Sequence, residues 1–218
     1  MKRKWKLWMI AFVLFVMTDI MMQSNRAEAK KRTFTVSPKT IPCSSSYRQK
    51  PYYNKKTKQY YMINSYMRRL STTGGTLKLK KGTYKIPGTI YVPSNVKIVC
   101  ANGVKIKKTK ATGTKKVKST KFLFQMISEE KVSGKQNTGK YAASKNASIQ
   151  GNGKVIFDMG NVNGATAVFV GHASGITVSG VRFRNKKGGS YIWIEGSKNI
   201  SVRQCVFERK KDVSGLKN

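Results

Sequence analysis

The sequence predicts an all-β protein wound as a parallel β-helix, with about four coils of roughly 24 residues and an amino-terminal capping helix. Three observations predict it. Residues Ala167 to Phe183 lie over Tyr191 to Phe207 without a gap, 24 residues further on. Within each copy, apolar residues alternate in three short runs: Val168/Val170 over Ile192/Ile194, Ile176/Val178 over Ile200/Val202, and Val181/Phe183 over Cys205/Phe207. Period-two alternation marks strands with one buried face, and a fixed repeat in the low twenties marks a solenoid. Between such runs the chain places Pro93-Ser94-Asn95 and Ala101-Asn102-Gly103, residues that suit corners with positive φ.

Residues 1–29 read as a secretory signal. Lys2, Arg3, Lys4 and Lys6 precede an apolar run from Leu7 to Met17, and Ala27-Glu28-Ala29 offers a small-x-small cleavage site. A membrane span would need roughly 20 apolar residues, and Asp19 interrupts this run. The mature chain then begins near Lys30, carries no stable membrane anchor, and is secreted or held at the cell wall. Residues 30–56 are basic and hold Pro38, Pro42 and Ser44-Ser45-Ser46, which reads as a linker or strap. From 57 to 70, Tyr60, Ile63, Met67 and Leu70 recur at helical spacing, so an amphipathic helix can cover the first open coil.

The β-helix domain spans 57–208, cap included. Its strands are expected at 76–79, 82–86, 90–92, 96–98, 104–106 and 122–127, then at 147–149 and 154–157, before the repeated coils. Basic and polar excursions at 107–121 and 128–145 read as exposed loops, and 209–218 as a polar tail. Phe183 should stack on Phe207 inside the core. Arg184, 24 residues before Glu208, should meet it outside. His172 reads as a corner residue.

The chain carries 44 Lys and Arg against 8 Asp and Glu, a formal charge of +36. Loss of residues 1–29 removes five basic and two acidic residues and leaves 39 against 6. So large a charge on an exported protein favours an anionic polysaccharide, pectate-like or a cell-wall polymer. Nucleic acid fits electrostatically, but export disfavours it. High charge also serves solubility alone. Cys43, Cys100 and Cys205 are an odd count and define no disulfide framework, and a Cys43–Cys100 pair stays open.

Three segments resemble the pectin lyase-like right-handed β-helices, most closely the amino-terminal half of the family 28 glycoside hydrolases, the polygalacturonases. They are Gly74-Gly75-Thr76 leading to Gly82-Thr83-Tyr84, then Asn146 to Gly153, then the coils from Gly175 to Asn185 and Tyr191 to Phe207. The resemblance implies an exported pectin- or polyuronate-degrading enzyme. The family's catalytic carboxylates, which inverting hydrolysis needs as a pair, have no counterpart here: the chain contains no Asp-Asp and no Arg-Ile-Lys. The family's histidine lies in Gly-His-Gly, whereas His172 lies in Gly171-His172-Ala173, ahead of the expected acids. No cofactor is implied, and the sequence shows no acidic cluster of the kind a calcium-dependent lyase requires.

With Ile192 and Ile194 turned inward, Tyr191, Trp193 and Glu195 should face solvent. Phe169 falls in the column of Trp193, and Tyr91 further down the same face. Aromatic rings suit the C–H faces of sugars, while Arg182 and Arg203, on the other two faces, suit their acids. Three readings follow: the first part of a polysaccharide-degrading enzyme without its catalytic coils, a non-catalytic wall-associated glycan binder, or a structural surface protein. An open last coil, with unpaired strand edges, is a route to self-association.

Overall fold

The computed structural model describes residues 32–134 and 138–208 of the 218-residue chain. The signal segment 1–29 and the tail 209–218 lie outside the described residues.

Strands return to the same sheet once per coil, and every pairing is parallel. Sheet A contains β1 (Arg32–Val36), β2 (Gly75–Leu79), β5 (Val96–Cys100), β8 (Ser148–Gly151), β11 (Ser174–Ser179) and β14 (Lys198–Arg203), in that spatial order. Sheet B contains β3 (Gly82–Ile86), β6 (Val104–Lys108), β9 (Ile156–Asp158), β12 (Arg182–Arg184) and β15 (Val206–Phe207). Sheet C contains β4 (Ile90–Tyr91), β7 (Phe122–Gln125), β10 (Thr166–Gly171) and β13 (Ile192–Glu195). This is a right-handed parallel β-helix. The repeat read from the sequence is its register: Val168 pairs with Ile192, Ile176 with Ile200 and Phe183 with Phe207.

Alternation sends every second side chain of each sheet into the core. Sheet A stacks Leu77, Ile98, Ile149 and Val178; sheet B stacks Tyr84, Ile106, Phe157 and Phe183; sheet C stacks Ile90, Phe124 and Val168. All are fully buried. Phe183 and Phe207 stack with ring centroids 5.3 Å apart and planes 11° apart, as expected. In the last described coil Ile194, Val202, Val206 and Phe207 remain exposed.

The corner into sheet A repeats a left-handed residue in every coil: Gly74, Asn95, Asn146, Gly175 and Asn199 have φ between 51° and 66°. Only glycine and, at lower frequency, asparagine adopt that conformation cheaply, so the ladder explains why these two residues recur. His172 is likewise a corner residue, with φ 51°.

The amino-terminal end differs from the strap reading. Phe34 and Val36 alternate within β1, which pairs with β2 in register and extends sheet A by one strand. The flanking cations and prolines hide so short a strand in the sequence. A short helix, α1 (Ser45–Arg48), follows. Helix α2 (Lys58–Leu70) is the cap, with Met62, Ile63, Met67 and Leu70 in the core. It also satisfies open strand edges. Asn64 donates to Thr89 O at 3.0 Å and accepts from Tyr91 N at 3.1 Å. Gln59 accepts from Lys85 N at 2.6 Å. Two helical amides thus supply the partners that a further coil would otherwise give β3 and β4.

The excursion at 107–121 is not uniformly exposed. Lys108 ends β6 fully buried, and its ammonium donates to Pro87 O, Gly88 O, Phe122 O and Thr120 Oγ1 at 2.8 to 3.2 Å. Burial lowers its pKa to about 7. Helix α3 (Glu129–Ser133) opens the second excursion, capped by Ser128.

Candidate functional site: an aromatic face without cations

The outer face of sheet C differs from the rest of the molecule before any side chain is placed. None of the residues of β4, β7, β10 and β13 is Lys or Arg, and Glu195 is their one charged residue. Sheets A and B carry cations in most of their strands.

Register aligns Tyr91, Gln125, Phe169 and Trp193 in one column, so three of the residues expected on this face share it. Phe122 joins them, stacked on Phe169 at 4.7 Å and 10°. Trp193 stands edge-on to Phe169 at 5.2 Å and to Phe122 at 6.3 Å, and is 47% exposed. Gly171 makes room for this arrangement: a Cβ there would lie 2.7 Å from Phe169 Cζ. Its register partner is Glu195, which places a carboxylate beside the rings. The Glu195 side chain is exposed and makes no ion pair or hydrogen bond among the described residues. Tyr91 is half-buried at the foot of the column, where burial, with Glu129 nearby, raises its phenol pKa.

Tyr191 lies elsewhere. Its ring packs on Phe183 at 5.7 Å and Phe207 at 6.0 Å, and its hydroxyl donates to Glu208 O at 2.6 Å. It precedes the first residue of β13, where strand alternation does not yet govern direction, so it turns inward over the core. Phe122 makes the opposite turn for the same reason: it opens β7 and shares the parity of buried Phe124, yet it stacks on the outside.

The expected arginines also stand apart from the strip. Arg182 projects from sheet B and pairs with Glu208 at 2.9 Å. Arg203 is exposed on sheet A, in register with Ser179. The expected Arg184–Glu208 contact is not made: Glu208 pairs diagonally, while Arg184 takes its register partner one coil earlier. Glu208 reaches Arg182, while Arg184 reaches down to Asp158 at 3.3 Å, because a buried carboxylate attracts a guanidinium more strongly than an exposed one.

Asp158 is the most heavily partnered acid. Lys105 lies 3.0 Å from its Oδ2, while Asn185 Nδ2 and Gly160 N donate to Oδ1 at 2.8 and 3.0 Å. Burial opposes ionisation, but these hydrogen bonds and the Lys105 charge outweigh it and lower the pKa. Glu129 accepts from Tyr47 at 2.5 Å, and Glu130 lies 3.7 Å from Arg68. The three cysteines are free, which closes the question of a Cys43–Cys100 bridge. Cys100 is a core residue whose thiol burial pushes up to about 12, and Cys43 donates to Ser65 O. Among the described residues no three His, Cys, Asp or Glu side chains gather as a metal site, and no helix is long and apolar enough to cross a membrane.

Fold and face together define a parallel β-helix with one cation-free aromatic side. No family model matches the chain, and no curated protein matches it. Among solved structures it is similar to PfbA, a surface adhesin of Streptococcus pneumoniae, with a TM-score of 0.53 and 15% sequence identity. The match covers 84% of this chain but 40% of the adhesin, so the chain spans less than half of that protein's length.

Proposed function

We propose that the protein is an exported, surface-associated β-helix that binds an anionic glycan without transforming it, with the sugar rings laid against sheet C. The observation that carries this reading is the contrast between a +36 chain and a face that holds Phe122, Phe169 and Trp193 and no cation in its strands. Exposed clustered rings mark interaction surfaces, and the C–H faces of pyranoses complement the negative faces of aromatic rings. The signal-like residues 1–29 support export, and the charge supports retention by an acidic matrix. The fold similarity to a surface adhesin is consistent with this location.

The test is binding of the full chain to polygalacturonate, by affinity electrophoresis at two salt concentrations. Binding should weaken with salt, and Trp193→Ala should weaken it about tenfold while leaving the thermal midpoint in place. Salt-independent binding, or none, would sink the reading. A second reading, a polygalacturonase-like segment, draws support from Gly74, Gly75, Gly82 and Gly153, motif glycines that occupy positive-φ corners. It predicts release of new reducing ends from the same polymer, which the first reading does not.

A further inference from the structure

Sheet B and its corner with sheet A carry a second arrangement that the aromatic face does not use. Where β8 and β11 turn towards sheet B, Gly151 and Gly180 bring two coils together backbone to backbone. A Cβ on Gly151 would lie 2.1 Å from Gly180 O, and one on Gly180 2.3 Å from Gly151 O. No side chain can project there, and a groove of about 570 Å³ opens along the corner. That volume lies within the range of ordinary small-ligand sites. Its floor is glycine backbone; Ile156 and Val206 give it apolar walls, and Lys154 and Arg182 stand at its rim.

The groove borders two outward columns of sheet B. The first runs Lys105, Ile156, Arg182, Val206, and the second Lys85, Lys107, Asp158, Arg184. In the first, cations alternate with apolar residues from coil to coil. In the second, Lys85 and Lys107 face each other in register, an arrangement that repels in a β-ladder. The face already holds one carboxylate: Asp158 Oδ2 sits between Lys105 at 3.0 Å and Arg184 at 3.3 Å. Arg184 Nε is buried without a hydrogen-bond partner. Coils rise about 4.8 Å, close to the length of one extended pyranose unit, and Lys154 and Arg182 stand on successive coils, so these two cations can meet acids on successive sugars.

We propose that this corner groove and the adjoining columns of sheet B form a separate site for a linear, carboxylate-bearing polysaccharide running along the coil axis. Its sugar rings lie against Ile156 and Val206, and its carboxylates meet Lys154 and Arg182. Glu208 occupies Arg182 at 2.9 Å when the site is empty and gives it up to the ligand. The proposal rests on the glycan-binding reading and deepens it by adding acid recognition on sheet B to the aromatic stacking of sheet C.

Three double or single variants of the full chain test it by titration with polygalacturonate, with a neutral polysaccharide and a single-stranded nucleic acid as controls. Lys154→Gln/Arg182→Gln should weaken polygalacturonate binding about tenfold, from the loss of two charge-assisted contacts. Lys78→Gln/Lys97→Gln removes the same charge from sheet A and should change it less than about twofold. Glu208→Gln, which frees Arg182, should tighten it about threefold. Equal losses from the sheet A and sheet B pairs would overturn the proposal, because bulk charge would then suffice. So would an equal loss of nucleic-acid binding by the sheet B pair, since recognition would not be of carboxylates. Trp193→Ala reports on sheet C alone. If it weakens binding and the sheet B pair does not, the general reading stands and this site falls.

Discussion

Sheets B and C are built alike on the inside and oppositely on the outside. Both send large apolar columns into one core, and Phe124 of sheet C lies 5.2 Å from Phe157 of sheet B. Outside, sheet B carries Lys85, Lys105, Lys107, Arg182 and Arg184, whereas sheet C carries no cation in its strands. A parallel β-helix asks for the same inward pattern of every strand and leaves the outward positions free. The difference between the two outer faces is therefore not required by the fold, and this is the physical ground for assigning them separate parts in glycan binding.

If the inner faces are equivalent, an inner substitution should disable both outer faces together. Phe157→Ala is the largest expected effect. The ring is fully buried between Phe124 and Phe183, and its loss should cost about 3–5 kcal/mol in urea unfolding. Binding at both faces should fall in proportion to the folded fraction; survival of one face would break the shared-core premise.

Next comes Asp158→Asn, which acts on sheet B alone. An amide would face Lys105 and Arg184 without charge to offset them, at a cost of about 3 kcal/mol. The depressed pKa of Asp158 fixes the pH dependence. The unfolded chain takes up the proton at about pH 3.9, and the folded chain only lower, so the contribution is full above that pH and fades as pH falls through the folded value. Wild-type stability should thus drop on acidification more steeply than that of Asp158→Asn, in denaturation curves from pH 6 to 2. Parallel profiles would mean that the carboxylate is not stabilised by its partners.

The inward pattern was legible in the sequence because it repeats. Ala167–Phe207 gave register, corner residues and the Phe183–Phe207 stack from spacing alone. The outer faces were legible only where the strand was regular: Phe169 and Trp193 fell where alternation put them, but Tyr191 and Phe122, at strand starts, each turned the other way. Spacing paired Arg184 with Glu208 one coil later, but Arg184 takes its register partner one coil earlier, the buried Asp158, and Glu208 reaches diagonally to Arg182. The capping helix was visible in its apolar spacing. The edge-satisfying roles of Gln59 and Asn64 were not, since nothing local to a helix tells that its amides meet strands some 25 residues away. Strand β1 is too short and too flanked by charge to announce itself.

Lys108 reaches sheet C from inside, through Phe122 O. Its pKa of about 7, lowered by burial, lies well below the free-lysine value of about 10.4. Between these values the unfolded chain binds the extra proton, so stability should rise as pH is raised from about 7 towards 10. Lys108→Met should abolish that rise. It should also cost about 2 kcal/mol at pH 7, because the carbonyls of Pro87, Gly88 and Phe122 lose their donor. A rise that persists in Lys108→Met would assign it to other groups.

Two variants with little effect on stability separate the outer faces most cleanly. Trp193→Ala and Arg182→Gln each remove an outward side chain, one from each face. Trp193 is half-exposed, and the exposed Arg182–Glu208 pair is worth at most about 1 kcal/mol, so both variants should melt within a few degrees of the parent. Their binding profiles should nonetheless differ: Trp193→Ala should lose affinity for neutral and acidic glycans alike, and Arg182→Gln for acidic glycans alone. A single shared profile for the two variants would mean that the outer faces serve one continuous site, and the separation argued from their charge would fail.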